Sequence, residues 1–274
     1  MSLGRYIFRD ILILIVVIGI LIGSSIGIYQ LINKSRRRSP PQRALALELK
    51  LKDLIRSSIV AAEETLEIPE LQQAIDVITE RLTEAYGTFP YTLEILVVDS
   101  PIVNALAFPG GLIVCYSGLL EKLDSAEELA AILAHELGHV VYRDAMKQLT
   151  RRIGMDVLLS LAGGHQAEVL LKRIVREVVD LRYSRTVEQR ADRYALDLLL
   201  QAHIDPAFLG KALEQLQKDS EEHKSPEVFK YLDTHPELGT RTEEAAVFET
   251  GGQTFESLNL DWPAIKDKLP GLLD

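Results

Sequence analysis

The stretch ELAAILAHELGHV, residues 128–140, constrains the fold more than any other part of the sequence. His135 and His139 are four residues apart, so on an α-helix both imidazoles lie on one face and can reach a common point. Asp124 or Ser125 stands where the N-cap of such a helix is expected, and two glutamates follow in the first turn, where they suit the helix dipole. The sequence therefore predicts a capped helix that presents two imidazoles together.

Glu136 directly follows the first of these histidines. If the two imidazoles bind a metal ion, the Glu136 carboxylate can reach a water on that ion instead of binding the ion itself. Two histidines leave the coordination of a zinc ion incomplete, so a further ligand must come from a distant part of the chain. Taken alone, the pattern also fits a surface helix that happens to contain His-Glu-x-x-His.

The stretch YSRTVEQRADRYALDLL, residues 183–199, is strongly helical and offers Glu188 and Asp192, again four residues apart. Glu188 is the natural third ligand in a two-histidine, one-glutamate zinc site, which leaves one coordination position for water. Asp192 could then accept the free ring N–H of His135 or His139 and fix its tautomer. Without the histidine helix, the same acids would be read as a solvated face interleaved with arginines.

The remaining pattern predicts a mainly helical α+β fold with a small β-sheet. Apolar residues recur at helical spacing in two segments before residue 86, the second starting near Pro69. Residues 91–99 read as a strand, and residues 104–120 read as two short strands around a Pro-Gly-Gly turn. An extended substrate could add to the first of these two strands as an extra strand, with close backbone approach at the glycines, although a tight turn explains the glycines equally well. The residues expected at this substrate edge are Ala105, Leu106, Ala107, Gly110 and Gly111.

Residues 11–32 form an uncharged run of 22 residues, long enough as a helix to cross the hydrocarbon core of a bilayer. The run lacks a small-residue cleavage site, which favours a membrane anchor over a signal peptide. The basic segment that follows it predicts, by the positive-inside rule, that the body lies on the cytoplasmic side. Gly19, Gly23 and Gly27 share one helical face, so two such helices could approach closely and form a homo-oligomer.

The charge balance and the cysteine count exclude several other classes of protein. The net charge is −10, and residues 1–43 carry +6, so the remainder carries −16. An acidic body argues against a nucleic-acid partner, because a phosphate backbone requires a basic surface. The single cysteine, Cys115, rules out an intrachain disulfide framework and a multi-cysteine metal cluster.

Four segments in this order resemble the gluzincin metallopeptidases that include the HtpX proteases and the type I CAAX prenyl proteases. The resemblance covers about residues 86–245, and its segments are NALAFPGGLIVCYSGLL, ELAAILAHELGHV, YSRTVEQRAD and DTHPELGTR. It implies one zinc ion per chain, and it assigns the ligands His135, His139 and Glu188, a catalytic Glu136 and a supporting Asp192.

The fourth segment adds His235 and Arg241 to the candidate site. The resemblance implies that His235 helps to stabilise the tetrahedral intermediate, which an imidazole N–H aimed at the developing oxyanion could do. Arg241 could orient this loop, and a plain surface salt bridge explains it about as well. The chain departs from these relatives at the membrane, because the segment between the zinc motifs has too few apolar residues to cross a bilayer.

The expected organisation is an anchor at residues 1–33, a basic linker at 34–43, a metallopeptidase domain at 44–250 and a tail at 251–274. Within the domain, residues 44–85 are expected to form amino-terminal helices and residues 86–250 the catalytic core. The predicted function is a membrane-anchored zinc endopeptidase that hydrolyses peptide bonds with Glu136 as general base, acting on misfolded or membrane-associated proteins in protein quality control. The alternative is a zinc-stabilised peptide-binding or assembly factor that does not cleave its clients.

Overall fold

The computed structural model describes residues 42–87, 89, 91–160, 167–223, 228–236 and 238–270. The predicted membrane span, Gly19, Gly23, Gly27 and most of the basic linker therefore lie outside the described residues. Within the described part of the chain, every helix is too short or too polar to cross a bilayer. Residues from Gln42 onward group together as one unit.

Two long helices begin the described chain, as the apolar periodicity predicts. Helix α1 (Gln42–Ala62) starts at the end of the expected linker and buries Leu47, Leu51, Ile55 and Ile59, which recur at four-residue spacing. Helix α2 (Pro69–Tyr86) has its proline in the first turn, where a missing N–H is tolerated, and buries an apolar face in the same way.

A three-stranded sheet follows, with β1 (Glu94–Val98), β2 (Ala105–Phe108) and β3 (Leu112–Tyr116) in the order β1-β3-β2. Strand β1 is parallel to β3, and β2 is antiparallel to β3, so β2 lies at an edge of the sheet as predicted. The mainly helical α+β prediction is confirmed, although β1 is shorter than the expected strand at residues 91–99.

The Pro-Gly-Gly turn between β2 and β3 is packed against the chain itself. Gly110 and Gly111 have φ values of 79° and 86°, a region that favours glycine. A Cβ on Gly110 would lie 2.6 Å from the Glu48 carbonyl oxygen, and one on Gly111 would lie 2.8 Å from the Tyr91 Cβ. The close backbone approach at these glycines is therefore made to α1 and Tyr91, in line with the alternative explanation of a tight turn.

Helices make up most of the remaining described chain. Helix α4 carries the two histidines of the HELGH segment, α8 carries Glu188 and Asp192, and α10 ends immediately before His235. The helices are α3 (Ser117–Lys122), α4 (Ala126–Tyr142), α5 (Asp144–Ile153), α6 (Met155–Ser160), α7 (Ala167–Val179), α8 (Arg185–Gln201), α9 (Ala207–His223), α10 (Lys230–Thr234), α11 (Leu238–Ala246) and α12 (Trp262–Lys266).

The edge strand β2 separates two buried clusters. Ala105 and Ala107 pack with α2, α4 and α9, whereas Leu106 and Phe108 face α1, α5 and α7. All four residues of β2 are buried in consequence. The tail joins the first cluster, because the buried Trp262 donates its indole N–H to the Leu123 carbonyl oxygen at 2.9 Å.

Candidate metal centre

Helix α4 brings both histidines of the HELGH segment into the interior. Its N-cap is Ser125, whose hydroxyl accepts a hydrogen bond from the Glu128 amide at 3.2 Å, as expected from the sequence. His135 is 0% exposed, and Glu136 and His139 are each 1% exposed. Buried polar groups of this kind require partners, and α8 supplies several of them.

Helices α4 and α8 pack closely where Gly138 faces Ala191. A Cβ built on Gly138 would lie 3.1 Å from the Ala191 Cα and 3.2 Å from its carbonyl oxygen, so no side chain separates the two helices. Glu188, one turn before Ala191, consequently reaches both imidazoles: its carboxylate oxygens lie 3.4 Å from His139 Nε2 and 3.6 Å from His135 Nε2. The structure thus brings together the three ligands expected from the sequence.

His235 joins the same group from the segment after α10. His135, His139, Glu188 and His235 each offer a ligand atom, all within 4.8 Å of one another, and all four residues are buried. The Nε2 atoms of His135 and His139 are 3.1 Å apart, and His235 Nδ1 lies 3.3 Å from His135 Nε2 and 3.1 Å from Glu188 Oε2.

This donor set fits a zinc ion. Imidazole nitrogens and a carboxylate oxygen are the ligands that zinc takes in proteins, and three or four of them make a complete site. Two imidazole nitrogens that face each other at 3.1 Å repel through their lone pairs unless a proton or a cation lies between them. The group therefore has the composition, burial and convergence that a metal site requires.

Two buried polar atoms beside the ligand group have no hydrogen-bond partner within the described part of the chain. They are Glu136 Oε1 and His235 Nε2, and they lie 3.6 Å from each other. Because a buried group without a partner costs free energy, such atoms are commonly found where a ligand or water binds. Glu136 and His235 are the two residues to which the sequence assigned catalytic roles.

His135 is supported from behind by Asp192 and Arg241. Asp192 Oδ1 lies 2.9 Å from His135 Nδ1, and Arg241 donates to both Asp192 oxygens at 2.7 Å. Arg241 also lies 2.9 Å from a Glu188 oxygen, so it pairs with two acids rather than forming a surface salt bridge. Burial raises the pKa of Asp192, but the bonds to His135 and Arg241 outweigh it and lower that pKa to about 2.

His139 has a second support that the sequence analysis did not predict. Asp144 Oδ2 lies 3.1 Å from His139 Nδ1, and Arg190 donates to the two Asp144 oxygens at 2.5 and 2.7 Å. Tyr183 stacks on the His139 ring with centroids 4.2 Å apart. Burial lowers the pKa of His139, but the bonds to Asp144 and Glu188 outweigh it and raise that pKa to about 10, whereas burial leaves the pKa of His135 below its ordinary value.

The segment that carries His235 is tied to the start of the edge strand. Val103, two residues before β2, donates its amide to the Val228 carbonyl at 2.8 Å and accepts from the Tyr231 amide at 3.0 Å. The Tyr231 ring stacks on His235 with centroids 4.5 Å apart, and the Thr234 carbonyl accepts from the Tyr183 amide at 3.3 Å. The chain's own backbone thus occupies hydrogen-bonding positions next to the predicted substrate edge.

A buried His-Glu-x-x-His helix whose two imidazoles meet a carboxylate from a second helix is the arrangement typical of zinc metallopeptidases. Residues 69–247 match the model of peptidase family M48, and the chain belongs to that family. The resemblance to a gluzincin zinc metallopeptidase is thereby confirmed.

Individual relatives agree with this assignment. The chain is 34% identical over 143 residues to the mitochondrial metalloendopeptidase OMA1 of Arabidopsis thaliana, covering 52% of this chain and 29% of that protein. It is 33% identical over 147 residues to the metalloprotease LoiP of Escherichia coli strain K12, covering 52% and 56% respectively. It is 28% identical over 193 residues to the beta-barrel assembly-enhancing protease of the same strain, covering 65% and 38%. The chain therefore spans only part of the length of these relatives.

Proposed function

We propose that this chain is a membrane-anchored zinc endopeptidase that hydrolyses peptide bonds in misfolded or membrane-associated proteins, as part of protein quality control. The observation that carries the proposal is the meeting of four buried ligand-type side chains, within 4.8 Å, beside a glutamate oxygen with no hydrogen-bond partner among the described residues. A binding protein has no need of a buried base at that position. Family membership and metalloprotease relatives support the same activity.

His135, His139 and Glu188 would hold the zinc ion and leave one coordination position for water, and His235 lies beside this group. When bound, zinc polarises a peptide carbonyl and makes a water acidic enough to ionise near neutral pH. Arg241 holds Glu188 in place through its contact at 2.9 Å, and Asp192 keeps the His135 ring oriented with its Nε2 towards the other ligands.

Glu136 and His235 would carry the proton and charge transfers. Glu136 accepts a proton from the attacking water and later donates it to the leaving amine nitrogen. His235 Nε2, 3.6 Å from Glu136 Oε1, would donate a hydrogen bond to the oxyanion that forms on the substrate. This role requires the His235 ring to carry a proton on Nε2.

A polypeptide can reach Glu136 only after part of the chain moves, because every residue of the ligand group is buried. We infer that the segment before His235, which Val103 contacts through Val228 and Tyr231, separates from the start of β2 to admit the substrate. Substrate would then add to β2 along Ala105, Leu106 and Ala107, as the position of β2 at the sheet edge allows.

The membrane assignment rests on the uncharged run at residues 11–32. We infer that this run anchors the chain with its body on the cytoplasmic side, and that Gly19, Gly23 and Gly27 allow anchors to pair. Digestion of the body by an added protease in sealed vesicles tests the sidedness. If the body is protected from the added protease in vesicles whose cytoplasmic face is outward, the orientation is the reverse of the one proposed.

The activity is tested with the full chain purified without chelators, comparing wild type with Glu136→Gln. We expect about one zinc per chain in both proteins by elemental analysis. Casein cleavage should fall by about 10²- to 10⁴-fold in the variant, because the base is lost while the ligands remain. Glu84→Gln, the same change at an exposed position on α2, is the matched control and should keep full activity.

Two outcomes would redirect the proposal. Cleavage by Glu136→Gln with unchanged products would show that another residue is the base. Stoichiometric zinc and measurable peptide binding without cleavage by the wild type would instead establish the non-cleaving assembly factor.

A further inference from the structure

The hairpin made by α5, α6 and the start of α7 carries exposed apolar side chains at its outer end. Met155 and Val157 on α6 are 41% and 39% exposed, and Val169 near the start of α7 is 78% exposed. Their neighbours Leu158, Leu171 and Ile174 are buried, so the hairpin itself is packed on the body. We call Met155, Val157 and Val169 the apolar tip.

Two contacts show that α5 and α7 run antiparallel. Gln148 donates to the Arg182 carbonyl oxygen at 3.4 Å, and one turn further along α5, Arg152 donates to Glu177 at 3.1 Å. Val169 precedes Glu177 by eight residues, so it lies about 12 Å beyond that contact along α7. Gly154, with φ 93°, ends α5 at the same outer end. The apolar tip therefore projects away from the metal centre.

Basic side chains surround the hairpin one to two turns behind the apolar tip. Residues 144–179, from the start of α5 to the end of α7, carry a net charge of +2, whereas the rest of the body after residue 43 carries −18. We call five exposed basic residues near the apolar tip the basic collar; they are Arg151, Arg152, Lys172, Arg173 and Arg176, of which Arg152 and Arg173 also pair with Glu177. This is a local reversal of charge on a strongly acidic body.

We propose that the apolar tip inserts into the interfacial region of a bilayer and that the basic collar binds its anionic headgroups. Exposed aliphatic side chains backed by lysine and arginine are the combination by which interfacial segments bind anionic membranes. An interfacial segment is buried by about 5–10 Å, which the projection of Val169 allows. The sequence-based membrane anchor would hold the body near such a surface. In addition to that anchor, this contact gives the protein a second, reversible attachment to lipid. The contact does not involve Glu136 or the metal ligands.

The proposal is tested by labelling the full chain with an environment-sensitive fluorophore on Val157→Cys or Val169→Cys. Val247→Cys is the matched control, because Val247 is 77% exposed but lies after α11, outside the hairpin. The natural Cys115 is 1% exposed, and burial raises the pKa of its thiol, so it should not react. The labelled chains are mixed with vesicles that carry doxyl-labelled lipid and recovered by flotation.

We expect the labels at residues 157 and 169 to shift to the blue and to be quenched by doxyl lipid, and the label at residue 247 to remain unchanged. Labels at residues 157 and 169 that behave like the control would overturn the proposal. A blue shift without doxyl quenching, growing with the protein-to-lipid ratio, would overturn it in favour of contact between two copies of the chain.

The charge requirement is tested with phosphatidylcholine vesicles, with or without phosphatidylglycerol. Quenching at residue 169 should be stronger with the anionic lipid, and the combined change of Arg151, Arg152, Lys172 and Arg173 to Gln should remove that difference. Asp156→Asn removes an exposed acid beside the apolar tip and should strengthen the quenching. Equal quenching in the two kinds of vesicle would contradict the role of the basic collar. Thermal unfolding of each variant in detergent verifies that it is folded.

Discussion

The two histidines of helix α4 are equivalent in sequence, but the structure supports them in different ways. His135 depends on Asp192 and Arg241, and Arg241 is 3% exposed and also contacts the ligand Glu188. His139 depends on Asp144, whose partner Arg190 has a side chain that is 29% exposed, and on the ring of Tyr183. In this second support, Asp144 is the residue that contacts the Nδ1 atom of His139.

The difference teaches that the first support is a single buried network, whereas in the second Asp144 and Tyr183 contact the His139 ring separately and can compensate for one another. Loss of Arg241 would leave two buried carboxylates without their cation, and one of them, Glu188, is a proposed metal ligand. Loss of Arg190 would leave one carboxylate that water can reach more easily. We therefore expect the two sides of the metal centre to respond unequally to matching substitutions.

The largest difference is expected between Arg241→Met and Arg190→Met. Breaking the buried pair should lower the free energy of unfolding by about 3–5 kcal/mol and reduce zinc content. The partly exposed pair should cost about 1 kcal/mol or less and leave zinc content unchanged. Denaturant unfolding and elemental analysis measure both quantities. Equal losses in the two variants would show that the networks are equivalent after all.

The next difference concerns the acids themselves, with Asp192→Asn compared with Asp144→Asn. Removing a carboxylate that orients a metal-bound histidine lowers metal affinity by about 10- to 100-fold. We expect Asp192→Asn to approach the upper value and Asp144→Asn the lower, since Tyr183 still holds the His139 ring. Competition with a chelator of known zinc affinity gives the two constants. The reverse order would contradict the asymmetry.

The pH dependence of zinc binding separates the two histidines in another way. Because the pKa of metal-free His139 is raised to about 10, its ring keeps a proton at pH 7 that zinc must displace. The pKa of His135 is lowered, so this ring is already neutral. Apparent zinc affinity should therefore rise by about tenfold per pH unit from pH 7 to pH 9. Asp144→Asn should flatten this slope, and Asp192→Asn should not.

The smallest effect is expected from Tyr183→Leu, which removes the ring stacked on His139. The loss of one aromatic contact should lower zinc affinity by about threefold. Tyr183→Phe keeps the ring and should behave as the wild type. Combined with Asp144→Asn, the leucine variant should lose more affinity than the two single changes predict together, because each contact compensates for loss of the other. Strict additivity would refute this redundancy.

The sequence was sufficient for the helices that carry the ligands and for the edge position of the strand Ala105–Phe108. Helical periodicity predicted α4 and α8, and the spacing within each helix identified His135, His139, Glu188 and Asp192 as side chains that share a face. These inferences succeed because both the cap and the periodicity are local properties of the chain. Family membership agrees with them.

The support of His139 could not be predicted in the same way. On a continuous helix, a residue five positions after His139 would point about 140° away from it. Asp144 returns to the imidazole only because Arg143 adopts a left-handed conformation with φ 56° and ends α4. The Arg143 Nε donates to Glu48 of α1 at 2.6 Å, and Glu48 is 1% exposed. A pairing across 95 residues leaves no periodic signal in the sequence, and Glu48 resembles any helix-surface glutamate.

The contact between Gly138 and Ala191 has a consequence for how such a site can change. The width of the metal centre is set by the approach of two backbones rather than by any ligand. A methyl group at position 138 would require α8 to move by a few tenths of an ångström and would shift the Glu188 carboxylate relative to both imidazoles. Metal affinity could thus be altered by a substitution that leaves every coordinating and catalytic residue in the sequence untouched.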